Sequence, residues 1–166
     1  IDRWKLISAE EAAEELVAAI RTSDARRFEA LLLSEDEIAE LGLSTAESQR
    51  LEQRISQAKA GFEKLIADKQ LQDNTQFTDF GGLKPGIVPA GTRGSTKDLH
   101  AYESVWAMVL NGNDHQQLQL GTMINHQGAW KLTDCPVLGT AQEVASGFFW
   151  NSGGGAGVAS ALPTSW

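Results

Sequence analysis

Three features of the 166-residue chain predict an α+β domain with its helices first. Apolar residues recur every three to four positions through the first seventy residues, and each such run opens on a Ser or Asp suited to capping a helix. At about Gln72 the period drops to two, and Thr, Phe, Val and Trp replace the helix formers. The expected architecture is an N-terminal helical layer packed on a C-terminal antiparallel sheet. It forms one domain over residues 1 to 150, followed by a Gly-, Ser- and Ala-rich tail or linker over residues 151 to 166.

Ser8 and Glu11 make a capping box, serine hydroxyl to the third helical amide and glutamate back to the cap amide, so the first helix starts there. Ala13, Leu16, Val17 and Ile20 give it one apolar stripe. Thr22, Ser23 and Asp24 end that helix and cap a second, with Phe28, Leu31 and Leu32 on its buried side. Ser34 with Glu37 and Ser44 with Glu47 are two further capping boxes. The last of these opens the longest helix, Thr45 to Lys69, whose stripe is Leu51, Ile55, Ala58, Phe62, Leu65 and Ile66.

Past the change of period, Asn74 to Phe80 reads as a strand, and the Gly- and Pro-rich stretch from Gly81 to Lys97 as a loop with a short strand at Ile87 and Val88. Leu99 to Leu110, His115 to Asn125 and Ala129 to Val137 form an antiparallel meander joined by Asn111-Gly112-Asn113-Asp114 and by a turn at Gln127-Gly128. Residues 139 to 150 add a final strand or short helix. Alternation yields two candidate faces. One carries His100, Tyr102, Ser104, Trp106, Met108, Met123, Trp130, Leu132 and Asp134; the other carries Val105, Val109, Leu118, Leu120, Ile124 and Cys135. A bulge would exchange residues between them.

Composition excludes several functions. The single cysteine, Cys135, leaves no intrachain disulfide, Cys-x-x-Cys pair or thiolate zinc cluster. A net charge of −8 argues against nucleic-acid binding, which needs Lys and Arg on phosphates. No apolar run reaches the roughly 20 residues that span a bilayer, so no transmembrane segment is expected. The start at Ile1 points to a removed leader or to a fragment of a longer protein.

The helix pair Glu11 to Ile20 and Asp24 to Leu32, with Leu118 to Leu120 running through Gly128-Ala129-Trp130-Lys131-Leu132, resembles the nuclear transport factor 2-like superfamily over residues 8 to 137. The resemblance implies a curved, cone-shaped sheet around a pocket. It leaves the activity open, because that fold serves isomerases, cyclases, dehydratases, transport adaptors and non-catalytic domains. The ketosteroid isomerase relatives use a carboxylate base with a tyrosine and a protonated aspartic acid. Here Tyr102, the only tyrosine, lies on a strand instead of the first helix, which counts against that chemistry.

The candidate catalytic residues are His100, Tyr102, Asp134 and Asp79. His100 shares a face with Tyr102 and is placed to meet Asp134 or Asp79 as an acid/base pair, and Asp134 follows Trp130 and Leu132 at spacings of two. His115 and His126 sit at turns and read as solvated. Trp106, Met108, Met123 and Trp130 are the candidate pocket-lining residues, Met and Trp being suited to irregular apolar space. No nucleotide loop, metal-ligand spacing or nucleophile elbow occurs, so no cofactor and no metal are expected.

The expected function is therefore a non-catalytic ligand-binding or protein-interaction domain of an exported bacterial protein, periplasmic or extracellular, with a small apolar ligand or a protein as partner. The alternative is a cofactor-free lyase, isomerase or cyclase using Asp134, His100 and Tyr102. A homodimer is expected through the sheet, on the reasoning that Val105, Val109, Leu118, Leu120 and Ile124 would otherwise stand exposed.

Overall fold

The computed structural model describes residues 4 to 82 and 84 to 139; the expected final element at residues 139 to 150 lies outside them but for Gly139, and the tail at 151 to 166 does so entirely. Four helices come first: α1 (Ala9–Arg21), α2 (Ala25–Leu31), α3 (Glu35–Ala39) and α4 (Thr45–Ala67). Their starts follow local chemistry. The capping boxes at Ser8/Glu11 and Ser34/Glu37 are complete, and the Asp24 carboxylate accepts from the amides of Arg26 and Arg27. At Ser44 only the serine half forms, since the Glu47 carboxylate turns instead to Arg50, 2.8 Å away. Where the Ser8 amide meets Glu11, its hydrogen bond holds that carboxyl below the usual range.

Six strands follow: β1 (Gln76–Gly82), β2 (Gly86–Val88), β3 (Leu99–Asn111), β4 (Asp114–His126), β5 (Ala129–Leu132) and β6 (Val137–Gly139). The two long strands β3 and β4 form the centre. β1 and β2 both pair with the outer side of β3, and β5 and β6 with that of β4, all antiparallel. The third strand of the expected meander is thus split, because Pro136, which has no amide to donate, lies in the break between β5 and β6.

The sheet is open, which overturns the cone-shaped, curved sheet of the nuclear transport factor 2-like fold. The strand path runs β1-β3-β4-β5, and among the described residues no pairing joins its ends. Only two strands are long, and the flanks are short pieces that cannot wrap round to meet. On the outer side of β5, parallel bridges join Ala129 to Ile7 and Leu132 to Leu32, so the segments around α1 and α2 occupy the edge that a closing strand would use. The α+β arrangement of helices on an antiparallel sheet stands; the cone does not.

Two irregularities in the β3–β4 ladder, between Tyr102 and Val105 and between Val105 and Trp106, mix the faces expected from plain alternation. At the second, Gly121 of β4 takes φ +81°, open to glycine at little cost, and a Cβ there would stand 2.6 Å from the Asp134 carboxylate. Val105, Val109, Leu118, Leu120 and Ile124 are consequently buried in the core of a single chain, together with Met123 and Leu132. The exposed patch from which a homodimer was expected is therefore not a patch. Trp106 and Met108 are half-buried, and the Trp106 indole lies so close over Gly81 that a Cβ there would overlap it.

The helical layer is tied together by Phe28 of α2 and Phe62 of α4, stacked with ring centroids 4.2 Å apart and both fully buried. Leu51, Ile55, Ala58 and Leu65 of α4 are also buried, following the stripe read from the sequence, while Ile66 is only half-buried.

Candidate functional site

Asp134 follows β5 and reaches α4. Both of its oxygens accept from Arg54, at 2.7 Å from Nη2 to each and 3.1 Å from Nε to Oδ1. Oδ2 also accepts from the Thr122 amide at 3.1 Å and the Thr133 hydroxyl at 3.1 Å. A guanidinium fork, a backbone amide and a hydroxyl thus engage this carboxylate. Its visible work is to lock the end of β5 against α4 and the bulge at Gly121.

His100 lies elsewhere. It is exposed on β3 with Ile87 of β2 as its Cα partner. The neighbouring pair Ala101–Ile124 places it about three residue steps along β4 from Thr122, roughly 10 Å of strand, whereas direct proton transfer needs heavy atoms about 3 Å apart. Asp79 is exposed on β1 opposite Met108, and its Oδ1 accepts from the next amide, Phe80, at 2.8 Å. Tyr102 is half-buried between aromatic rings, 4.8 Å from Trp130 and 6.3 Å from Phe80. The structure therefore brings Tyr102 together with Trp130, and with Met123 as its Cα partner, but gathers neither His100 nor Asp79 to Asp134.

Three of the expected pocket-lining residues, Trp106, Met108 and Trp130, are half-buried. Met123 is fully buried, Trp130 packs on Tyr102, and Trp106 lies over Gly81. A groove of about 710 Å³ runs instead between α1 and the segment entering β1, bordered among others by Trp4, Glu14, Arg21, Asp73 and Phe77; none of the four lines it. Among the described residues no three His, Cys, Asp or Glu side chains are placed to hold a metal ion, and no helix is long and apolar enough to cross a membrane.

No protein-family profile, no curated protein and no solved structure matches the chain. The reading of the site therefore rests on its chemistry alone.

That chemistry includes a charged cluster that alternation and motif reading missed. Lys131 of β5 has 0% exposure, and its Nζ lies 3.4 Å from the Ala30 carbonyl and 3.4 Å from Glu37 Oε2. The same Glu37 carboxylate closes the α3 capping box and stands 3.8 Å from His126 Nδ1, while His126 Nε2 is 2.7 Å from Glu40 Oε1. His126, read from its turn as solvated, has only 11% of its side chain exposed, because α3 lies against that turn. The signal was a lysine set between Trp130 and Leu132 in a strand, but its partner is ninety-four positions earlier and no local pattern pairs the two.

Asn111 was likewise read only as a turn residue. It accepts from the Gln72 amide and the Thr75 hydroxyl, and donates to the Gln70 carbonyl and Gln116 Oε1, all within 3.0 Å. The β3–β4 turn is thereby pinned to the chain between α4 and β1.

Cys135 lies against Gly61 of α4, and burial, with a smaller contribution from the Asp134 charge, pushes its thiol up to about 11. Against the ordinary value of 9.0, each unit removes tenfold of the thiolate, so alkylation by iodoacetamide at pH 8 should run about a hundredfold slower in the folded than in the denatured chain. Equal rates would show the thiol to be accessible and ionised. The linkage sign is fixed by the same direction: from pH 9 to 11 the unfolded thiol loses its proton while the folded one keeps it, so this group lowers stability as pH rises.

Proposed function

We propose that this chain is a non-catalytic protein-interaction domain. The observation that carries the reading is the state of Asp134: this acid/base candidate is committed to Arg54, Thr122 and Thr133, and His100 and Asp79 stand elsewhere. Tyr102, Trp106 and Trp130 are half-buried on the sheet, Tyr102 lying against Trp130, and partly exposed aromatic side chains of this kind suit a protein partner. Exposed apolar side chains occur ahead of α1, at Trp4 and Leu6, and on outer strands, at Ile87, Val88 and Val137.

Self-association has lost the patch from which it was argued, so the partner expected here is a different protein. The test pairs cross-linking mass spectrometry of the purified chain in extract of its source cells with a thermal-shift screen of small apolar molecules. A reproducible, saturable protein partner supports the reading. Saturable stabilisation by a small molecule without any protein partner overturns it, and a species of twice 17.9 kDa in sedimentation at micromolar concentration returns it to homodimerisation.

A further inference from the structure

We propose that Asn111 is a latent deamidation site, shut while the β3–β4 turn is pinned and opened when that turn parts from the chain between α4 and β1. The inference does not depend on the interaction reading. Asn111-Gly112 is the one Asn-Gly pair in the sequence. Asn111 ends β3 opposite Asp114, so Gly112 and Asn113 make the turn, and Gly112 takes φ +66° there, a conformation open to glycine. The glycine that the turn needs has no side chain to shield its nitrogen from the Asn111 side chain.

The reaction needs only the chain and water. The Gly112 nitrogen attacks Cγ of Asn111, its bond to Cγ forms, the Cγ–Nδ2 bond breaks, and Nδ2 leaves as ammonia with the proton that the Gly112 amide gives up. Water then opens the succinimide ring at either carbonyl, leaving aspartate or isoaspartate. Aspartate only accepts, so although Gln116 can turn its amide to meet it, the Gln70 carbonyl is left without its donor. Isoaspartate also lengthens the backbone by one carbon at the end of β3. Either product unpins the turn for good.

The fold holds this reaction back through the side-chain amide itself. Oδ1 accepts from the Gln72 amide at 3.0 Å and the Thr75 hydroxyl at 2.9 Å, and Nδ2 donates to the Gln70 carbonyl at 3.0 Å and to Gln116 Oε1 at 2.8 Å. Such bonds run close to the plane of the amide, on both sides of Cγ, whereas the Gly112 nitrogen must attack from above that plane. The two donors on Oδ1 would steady the oxyanion of the addition step. Loss of ammonia, however, requires Nδ2 to leave both of its acceptors, and that decides the sign. Those acceptors let go when the turn moves off the segment that holds Gln70, Gln72 and Thr75.

Peptide mapping by mass spectrometry of the whole chain, incubated at mildly alkaline pH with and without denaturing urea, follows aspartate and isoaspartate at position 111. The folded chain is expected to deamidate there about tenfold or more slowly than the denatured one, as the loss of several hydrogen bonds on opening implies. Gln116→Met, which keeps the bulk and removes one acceptor of Nδ2, is expected to raise the folded-state rate severalfold. In the unaltered protein, the rate across sub-denaturing urea is expected to rise in step with hydrogen exchange of the Gln72 amide, since one opening frees both. Equal rates in folded and denatured chains overturn the proposal. So does a folded-state rate above the denatured one, which would make the Oδ1 donors promoters of the reaction. An unchanged rate in a folded Gln116→Met chain, or a rate that does not follow Gln72 exchange, overturns the hydrogen bonds as the lock.

Discussion

Replacing Lys131 by Met should destabilise the fold by about 3 to 5 kcal/mol, the range for removing one partner of a buried ion pair. The ammonium has 0% exposure and joins β5 to the Ala30 carbonyl at the end of α2 and to Glu37 in α3. Methionine fills a similar volume, so the loss isolates the charge from the packing. What it leaves is Glu37, 15% exposed, without the ammonium beside it. The companion variant Lys131→Met, Glu37→Gln should recover part of the loss, because glutamine keeps the capping box with Ser34 while removing the negative charge that faced the ammonium. Urea unfolding of the parent and the two variants checks this. A Lys131→Met midpoint within experimental error of the parent's would show that the cluster contributes nothing net.

Phe62→Ala is expected to cost a similar amount, about 3 to 5 kcal/mol, for a different reason. Its ring is stacked at 4° on Phe28, and both are fully buried where α2 meets α4. Truncation empties the centre of the helical layer and removes the packing of α2 on α4, leaving the seven-residue α2 held by α1, where Arg27 Nε donates to Glu15 at 2.7 Å. Phe62→Leu should recover much of the loss by refilling volume without the stack. Hydrogen exchange gives a second readout, with α2 amides losing protection before those of β3 and β4. Loss spread evenly over helices and sheet would show that α2 is not held chiefly by this contact.

Both effects depend on contacts absent from local sequence. Phe62 was legible as a core residue because it lies on the α4 stripe, but its stacking partner was not. Lys131 was visible only as one letter of the Trp130-Lys131-Leu132 run. The candidate acid/base set fared similarly: His100, Tyr102 and Asp79 lie on strands as expected, Asp134 falls in the break after β5, and the distances that decide whether they act together depended on register.

By itself the sequence determined where elements begin and what kind they are. Ser8, Asp24, Ser34 and Ser44 cap helices through bonds that span two or three residues, and Asn111-Gly112-Asn113-Asp114 reverses the chain within four. Such bonds form from neighbours alone, so their pattern can be read from neighbours alone. Tertiary structure decided that the sheet is open, that the Val105 and Leu118 set is core, and that Asp134 is spent on Arg54. Arg54 and Asp134 are 80 positions apart, His126 and Glu40 86, and Lys131 and Ala30 101. Each such contact depends on the bulges and strand register accumulated in between, and one added residue in a strand turns every later side chain to the opposite face.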